Sequence, residues 1–512
     1  MVAPTFCFRS EVVNLNTHQF LLNNMRKNVP SIVALLLGAF AAASPSQAQA
    51  QAAVEFETKQ SLNSSSARKD ISAVWQSPQQ GYVIDMRERA ARLYHITADA
   101  CWPDAQLEKQ SADYYAFGRF NAAKTRLKVS AALGASETLW IRLDALPARC
   151  AKQADTSPTA VLRALAQTMD EHFAFFKERG VDWPASVAEA SQRITNASSD
   201  AELYEVVAKL LGQLNDPHVT LQAKVDGRER RLTTGRGATL TALRKAFEAQ
   251  SKTKVPTAFL KDWMSSSQSA VNKQLLAGTG RTALEDTAFW GVSRNDAGNV
   301  GYLSLTRLKD LTAKETVADD IDAVDALLDT VIAACTAGNP GSSDKNCKAI
   351  IVDLSQNRGG DDRVALAVAA RFAASGGVAF TKQAVSKGAV DDVQSVSLSP
   401  SSKPRWLGEV VLVTDSITVS AAEVLTLAMR TLPNVKHIGQ PTRGALSDAL
   451  EKSLPNGWRF TLSNEIYKSA GGELFEARGI TPSEVMTVFD TADLFSGQSK
   501  LLTALVAKQR AQ

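Results

Sequence analysis

Histidine and cysteine are both scarce in this chain: five of each occur in 512 residues. No C-x-x-C pair and no group of histidines accompanies the cysteines, which argues against a zinc site built on them. No apolar run reaches the roughly 18–20 residues that a membrane-crossing helix requires. The formal net charge is only +4, without a strong basic block, so nucleic-acid binding is not indicated. Long internal repeats are missing too, which excludes a solenoid. What remains, 45% apolar and 21% charged residues, is ordinary for a folded globular chain, long enough for about three domains.

The beginning of the chain reads as an address. "MRKNVPSIVALLLGAFAAASPSQAQAQA" joins basic residues to an apolar stretch from Ile32 to Ala43, then to small residues suited to cleavage. This is the three-part pattern of a secretory signal peptide, with cleavage expected near Ala48 or Ala50 and Met25 as a candidate true start. An apolar stretch of about a dozen residues is short for an anchor. The expected location is therefore periplasmic or secreted, with no integral membrane segment after cleavage. Losing the leader also removes Cys7 and leaves Cys101, Cys150, Cys335 and Cys347. An even number in an oxidising compartment favours disulfides. Three pairings are open, of which Cys101–Cys150 with Cys335–Cys347 is the local choice.

Beyond the leader, taken as residues 1–50, the texture changes along the chain. Residues 68–152 hold short aromatic and β-branched runs such as "GYVIDMRE" and "TLWIRLDAL", which predict a small β-sandwich or barrel. Residues 158–225 are helical in pattern, with Val161, Leu162, Leu165, Met169, His172, Phe173 and Phe176 at helical spacing and Asp200 placed to cap a second helix. Residues 226–297 form a polar, partly helical insertion. From 298 to 495, strands such as "KAIIVDL" and "EVVLVTD" alternate with amphipathic helices, which predicts an α/β layer with a largely parallel sheet.

Three places could carry chemistry. In "TDSITVSAAEVL", Ser420 opens a helix whose first N–H groups lack partners, so the Ala421 N–H lies beside a potential nucleophile. The competing reading is an N-cap serine in a capping box with Glu423. In "DLSQNRGG", Gly359 and Gly360 end a buried strand, where backbone N–H groups can converge on an oxyanion. By itself, that turn is also an ordinary strand exit. In "LNDPHVTL", His218 sits in a polar turn. His95 and His172 read as packing residues, and His437 precedes a turn with the prospect of exposure. A neutral imidazole, pKa near ~6.5, is a natural base for a serine hydroxyl.

In this order the elements resemble the tail-specific, or carboxyl-terminal processing, serine protease family, whose relatives include the tricorn protease core. "LNDPHVTL", "GNVGYLSLTRL", "AIIVDLSQNRGG", "TDSITVSAAEVL", "IGQPTRG" and "FEARGITPSEV" carry the resemblance, over about residues 158–225 and 298–490. It implies a crotonase-like (ClpP/crotonase-type) α/β catalytic core, Ser420 as nucleophile, and an oxyanion site from Ala421, Gly359 and Gly360. In the bacterial branch a lysine follows the Pro-Thr-x-Gly turn as base; here Ala445 stands there. The tricorn-like branch implies His218 as base, supported by Glu476, with Glu473 as a rival. Peptide or protein substrates are implied, without metal or cofactor, and oligomeric state is left open. No PDZ-like segment lies between His218 and Gly298. An esterase, or a non-catalytic module holding a peptide or apolar ligand, are the alternatives.

Overall fold

The run "CKAIIVDL" forms a strand, Cys347–Asp353, whose residues from Ala349 to Asp353 are all buried. Side chains of a strand alternate between faces, so an uninterrupted apolar run needs cover on both sides. Ile350 and Val352 join one apolar cluster with the helices Val317–Thr336, Asp362–Ala370 and Ala421–Arg430. Ile351 faces the other way, into a cluster with the helices Pro256–Gln274 and Gly497–Ala511. The strand belongs to a seven-stranded sheet whose spatial order follows the chain: Arg281–Ala283, Ala288–Ser293, Asn299–Leu305, Cys347–Asp353, Glu409–Thr414, Val435–Gly439 and Glu484–Val485. From Asn299–Leu305 onward every pairing is parallel, and the first two are antiparallel.

This computed structural model describes residues 55–512, except 63–64, 89–90, 105–115, 131–136, 251–255, 296, 315, 338–345, 388, 391 and 491–492. The leader lies outside the described residues. No helix among those described is long and apolar enough to cross a membrane.

Residues 60–143 build one eight-stranded antiparallel sheet rather than a sandwich or barrel. The segment "ARLYHITADACW" is a hairpin of two strands, Arg92–Ile96 and Cys101–Pro103. The sheet shares its core with its surroundings. Trp75, Phe120 and Trp140 lie in one cluster with Leu165 and Val207 of the helical segment and Phe460 and Leu462 near the C-terminus. Residues 54–512 accordingly form one compact unit.

Two local expectations are corrected. The helix Asp200–Gly212, which follows Pro158–His172 and Trp183–Ser191, is capped by Ser199, not Asp200, through a capping box with Glu202. The first helix, Pro158–His172, stops before the phenylalanines. There the Ala174 N–H donates to the Ser463 carbonyl at 3.0 Å, so the backbone leaves the helix to bond a strand. A turn closed by Gly180 at φ 65° follows, and it presents Arg179.

The cysteines meet as Cys101–Cys150 and Cys335–Cys347, with Cα separations of 4.8 and 4.9 Å. Gly301 makes room for the second pair: a Cβ there would stand 2.5 Å from the Cys335 sulfur.

Candidate active site

Ser420 ends the turn after the strand Glu409–Thr414 and precedes the helix Ala421–Arg430. Its backbone has φ 61° and ψ −131°, a region that costs a non-glycine residue about 1–3 kcal/mol. Such a conformation persists only where the surroundings impose it, and here they do. The Ser420 N–H donates to the Ala445 carbonyl at 3.0 Å, and the Val419 N–H to the Asn357 carbonyl at 3.3 Å. The preceding turn is pinned from the insertion, because the Thr239 hydroxyl donates to Asp415 Oδ2 at 3.0 Å and Gly237 packs on the Ser416 carbonyl.

Glu423, three residues into the helix, is fully buried and collects donors. Oε1 accepts from the Thr442 hydroxyl (2.5 Å) and the Gly444 N–H (2.8 Å); Oε2 accepts from the Ala445 N–H (2.8 Å) and the Ser420 N–H (3.2 Å). Burial raises its pKa, and these hydrogen bonds oppose the rise. Glu423 therefore does more than close a capping box: it fastens the Pro-Thr-x-Gly turn behind the serine.

The glycine turn packs directly on Ser420. A Cβ on Gly359 (φ 86°) would lie 2.7 Å from the Ser420 Cβ and 3.3 Å from the Ala421 nitrogen. One on Gly360 would lie 2.2 Å from the Leu308 carbonyl carbon. The two amides differ. The Gly359 N–H already donates to Asn357 Oδ1 at 2.9 Å, whereas those of Gly360 and Ala421 donate to no group among the described residues. Asn357, whose Nδ2 donates to the Leu305 carbonyl at 2.9 Å, thus shapes the turn from within.

His218 arrives by strand pairing. The strand Thr220–Val225 pairs antiparallel with Arg459–Ser463, setting Thr220 opposite Thr461 and Leu221 opposite Phe460. The Thr461 hydroxyl donates to the His218 carbonyl at 2.5 Å across 243 positions of sequence. Asp216 forms the turn, accepting the His218 N–H at Oδ1 (2.9 Å). The imidazole is half-buried, and its Nδ1 has no hydrogen-bond partner. Burial lowers its pKa, Asp216 and Asp448 oppose this, and Arg179 and Arg443 act in the same direction as burial.

One segment, 443–448, borders both residues. Ala445 bonds Ser420, while Arg443 donates to the Asn215 carbonyl at 2.9 Å, just ahead of His218. Ala445 is fully buried; its N–H donates to Glu423 Oε2 and its C=O accepts from the Ser420 N–H. The buried lysines are committed elsewhere. Lys382 pairs with Asp448 (3.1 Å) and Glu465 (2.8 Å), and Lys452 donates to the Gly81 carbonyl at 3.1 Å.

Glu476 does not hydrogen-bond His218. Its Oε1 accepts from Arg179 Nη2 at 2.7 Å and its Oε2 from the Leu446 N–H at 2.9 Å. Burial, with the Asp216 charge beside it, pushes its pKa up to about 8 against the pull of Arg179. Glu473 is exposed and pairs with Arg478 at 2.8 Å. His437 is buried rather than exposed, because it lies within a parallel strand with Nε2 2.8 Å from the Thr414 hydroxyl. His95, on Asp104 at 2.7 Å, and His172 are buried as well. Asn357, Thr442 and Arg179 escaped the sequence reading. The first two lie inside quoted motifs, and Arg179 lies in "FAFFKERGVDWP", a stretch similar to the family's lead-in segment in which nothing distinguishes this arginine from its charged neighbours.

Part of the chain is similar to known proteins. Residues 299–486 match the family model of peptidase family S41. A comparison with curated proteins finds no match. A crystal structure of a candidate peptidase from Parabacteroides merdae is similar at 19% identity and TM-score 0.52, over 69% of this chain and 97% of that one. Mature CPAF aligns at 12% identity and TM-score 0.48, over 69% and 98%. The photosystem II D1 C-terminal processing protease aligns at 15% identity and TM-score 0.38, over 68% and 98%. At these identities the first likeness concerns the fold. With the family match over the glycine turn, the serine helix and the Pro-Thr-x-Gly turn, it leads to one statement: residues 299–486 carry the similarity to peptidase family S41, and the chain is a serine-type peptidase.

Proposed function

We propose that this peptidase is an exported endopeptidase with a crotonase-like core, in which Ser420 is the nucleophile and His218 the general base. The observation that carries the reading is the conformation of Ser420. It is held at positive φ, with Gly359 against its Cβ and an unused N–H on Ala421 next to it. Strain of this kind gathers at functional sites, and an N-cap serine does not require it. In the reaction, Ser420 Oγ adds to the scissile carbonyl carbon as its proton passes to the His218 imidazole. The developing oxyanion is met by the N–H groups of Ala421 and the Gly359–Gly360 turn, of which Gly360's is unshared. The imidazolium then protonates the leaving amine, the acyl–oxygen ester forms, and water releases the acid by the reverse sequence.

A histidine base suits this chain because the position after Gly444 holds alanine and Lys382 is kept charged by its carboxylate partners, which raise its pKa against burial. Export is supported by the N-terminal sequence pattern and by cysteine pairs at disulfide distance.

A fluorophosphonate probe with a fluorogenic protein substrate tests the assignment. Wild type should label and cleave, Ser420→Ala should do neither, and His218→Ala should lose kcat by orders of magnitude while Lys436→Ala and Lys468→Ala do not. Labelling that survives in Ser420→Ala, or activity lost with a lysine, would reject it. Labelling with cleavage of esters alone would move the protein to the esterases.

A further inference from the structure

One side chain that ties several segments of the site together is an arginine to which the sequence reading gave no role. Arg179 lies in the turn after the helix Pro158–His172, with its side chain only 3% exposed. Its Nη2 reaches Glu476 Oε1 at 2.7 Å, the Gly444 carbonyl at 3.1 Å and Asp216 Oδ2 at 3.3 Å. Its Nη1 donates to the Asn215 carbonyl at 2.7 Å. These partners come from the two halves of the site. Asn215 and Asp216 form the turn that presents His218. Gly444 belongs to the turn that Glu423 fastens behind Ser420, and Glu476 also holds the Leu446 N–H on the same segment.

We propose that Arg179 is a positioning residue of the active site: one guanidinium clasps the His218 turn to the segment backing Ser420 and so sets how the base faces the nucleophile. The proposal rests on the reading of Ser420 and His218 given above. A rigid, planar donor fork can hold partners on several segments at fixed angles, which an ammonium on a flexible stem cannot. The cation also stands between the carboxylates of Asp216 and Glu476, which would otherwise repel each other in a buried place. Glu476, expected from the resemblance to support His218, acts in this arrangement through Arg179 and Leu446. The charged groups around the imidazole are Asp216 and Asp448, with Arg179 and Arg443 opposing them.

The test measures the rate of fluorophosphonate labelling against pH, together with thermal unfolding, for the full-length protein and its variants. Arg179→Lys keeps the charge and loses the fork. It should unfold near the wild-type temperature yet label on the order of 10²-fold more slowly, with the acid limb of the profile little moved. Arg179→Met also removes a cation near His218, so its acid limb should shift to higher pH, an effect that a packing role would not produce. In a Glu476→Gln background, Arg179→Met should cost far less than in wild type, because the two act as a unit. Wild-type labelling rates and an unmoved limb in both arginine variants, with His218→Ala silent, would overturn the positioning role alone. If Arg179→Met does not fold, wild-type labelling by Arg179→Lys would overturn it unaided. Wild-type labelling by His218→Ala would remove the base assignment and this inference with it.

Discussion

Replacing Gly359 with alanine gives a test whose magnitude can be worked from geometry. At φ 86° an alanine pays the left-handed penalty, roughly 1–2 kcal/mol. The new methyl would also stand 2.7 Å from the Ser420 Cβ and 2.8 Å from the Val419 carbonyl oxygen. Neither neighbour is the free end of a flexible chain, so the turn and Ser420 must separate, and overpacking of this kind costs about 1–3 kcal/mol more. Gly457 provides the matching control: its φ is 84°, but a Cβ there meets nothing within 4 Å. Gly457→Ala should therefore show the backbone penalty by itself, with activity kept. Gly359→Ala should unfold at a lower temperature than Gly457→Ala and lose kcat by about 10²–10³-fold, the scale of a lost oxyanion donor. The assays are thermal unfolding and turnover of a fluorogenic protein substrate. Near-wild-type kcat in a folded Gly359→Ala would refute the claim that this turn borders the reacting atoms.

Further outcomes follow from buried charge. Because burial lowers the His218 pKa, the acid limb of kcat/KM should lie below the ordinary imidazole value of ~6.5; a limb above it would contradict the assigned environment. Glu423→Ala would leave the Thr442 hydroxyl proton and the N–H groups of Gly444 and Ala445 without their acceptor, at about 1–3 kcal/mol each. Loss of cooperative unfolding, or a large fall in the unfolding midpoint, is expected, and an unchanged midpoint would dismiss its role as a fastener. Burial holds His95 at about 4 and both His172 and His437 at about 3, against ~6.5 in the unfolded chain. The unfolded state binds more protons between those values, so stability is complete above ~6.5 and is lost as pH falls toward 4 and 3, by several kcal/mol per group at the end. A flat unfolding midpoint from pH 7 to 4 would contradict this, and His172→Gln should make the profile shallower.

The parallel sheet was legible because its strands are buried on both faces and appear as unbroken apolar runs flanked by amphipathic helices. The capping glutamate, the glycine turn and the polar-turn histidine were legible as local patterns. What eluded sequence reading was mostly tertiary. Thr220–Val225 and Arg459–Ser463 carry no mark naming each other as partners, yet their register delivers His218. The helix of residues 158–172 has apolar spacing that continues into Phe173 and Phe176, and only the bond from Ala174 to Ser463 ends it. The β-rich segment looked independent because its alternation is local, whereas its apolar face is completed by residues as distant as Phe460.

The same distinction bears on the missing lysine. At Ala445 a side chain would begin from backbone whose N–H is held by Glu423 and whose C=O holds Ser420. That backbone is needed whether or not a base projects from it, since it fixes the unusual φ of Ser420. Exchanging lysine for alanine therefore removes an amine and leaves the serine's support in place. The support for an imidazole must then come from outside this turn, and the observed links from the His218 loop run through Thr461, Asn215 and Asp216. On this view a lysine restored at 445 would not by itself create a working base. Its amine would start from a fully buried site whose N–H bonds the Glu423 carboxylate, so packed neighbours would have to give way before it could reach any partner.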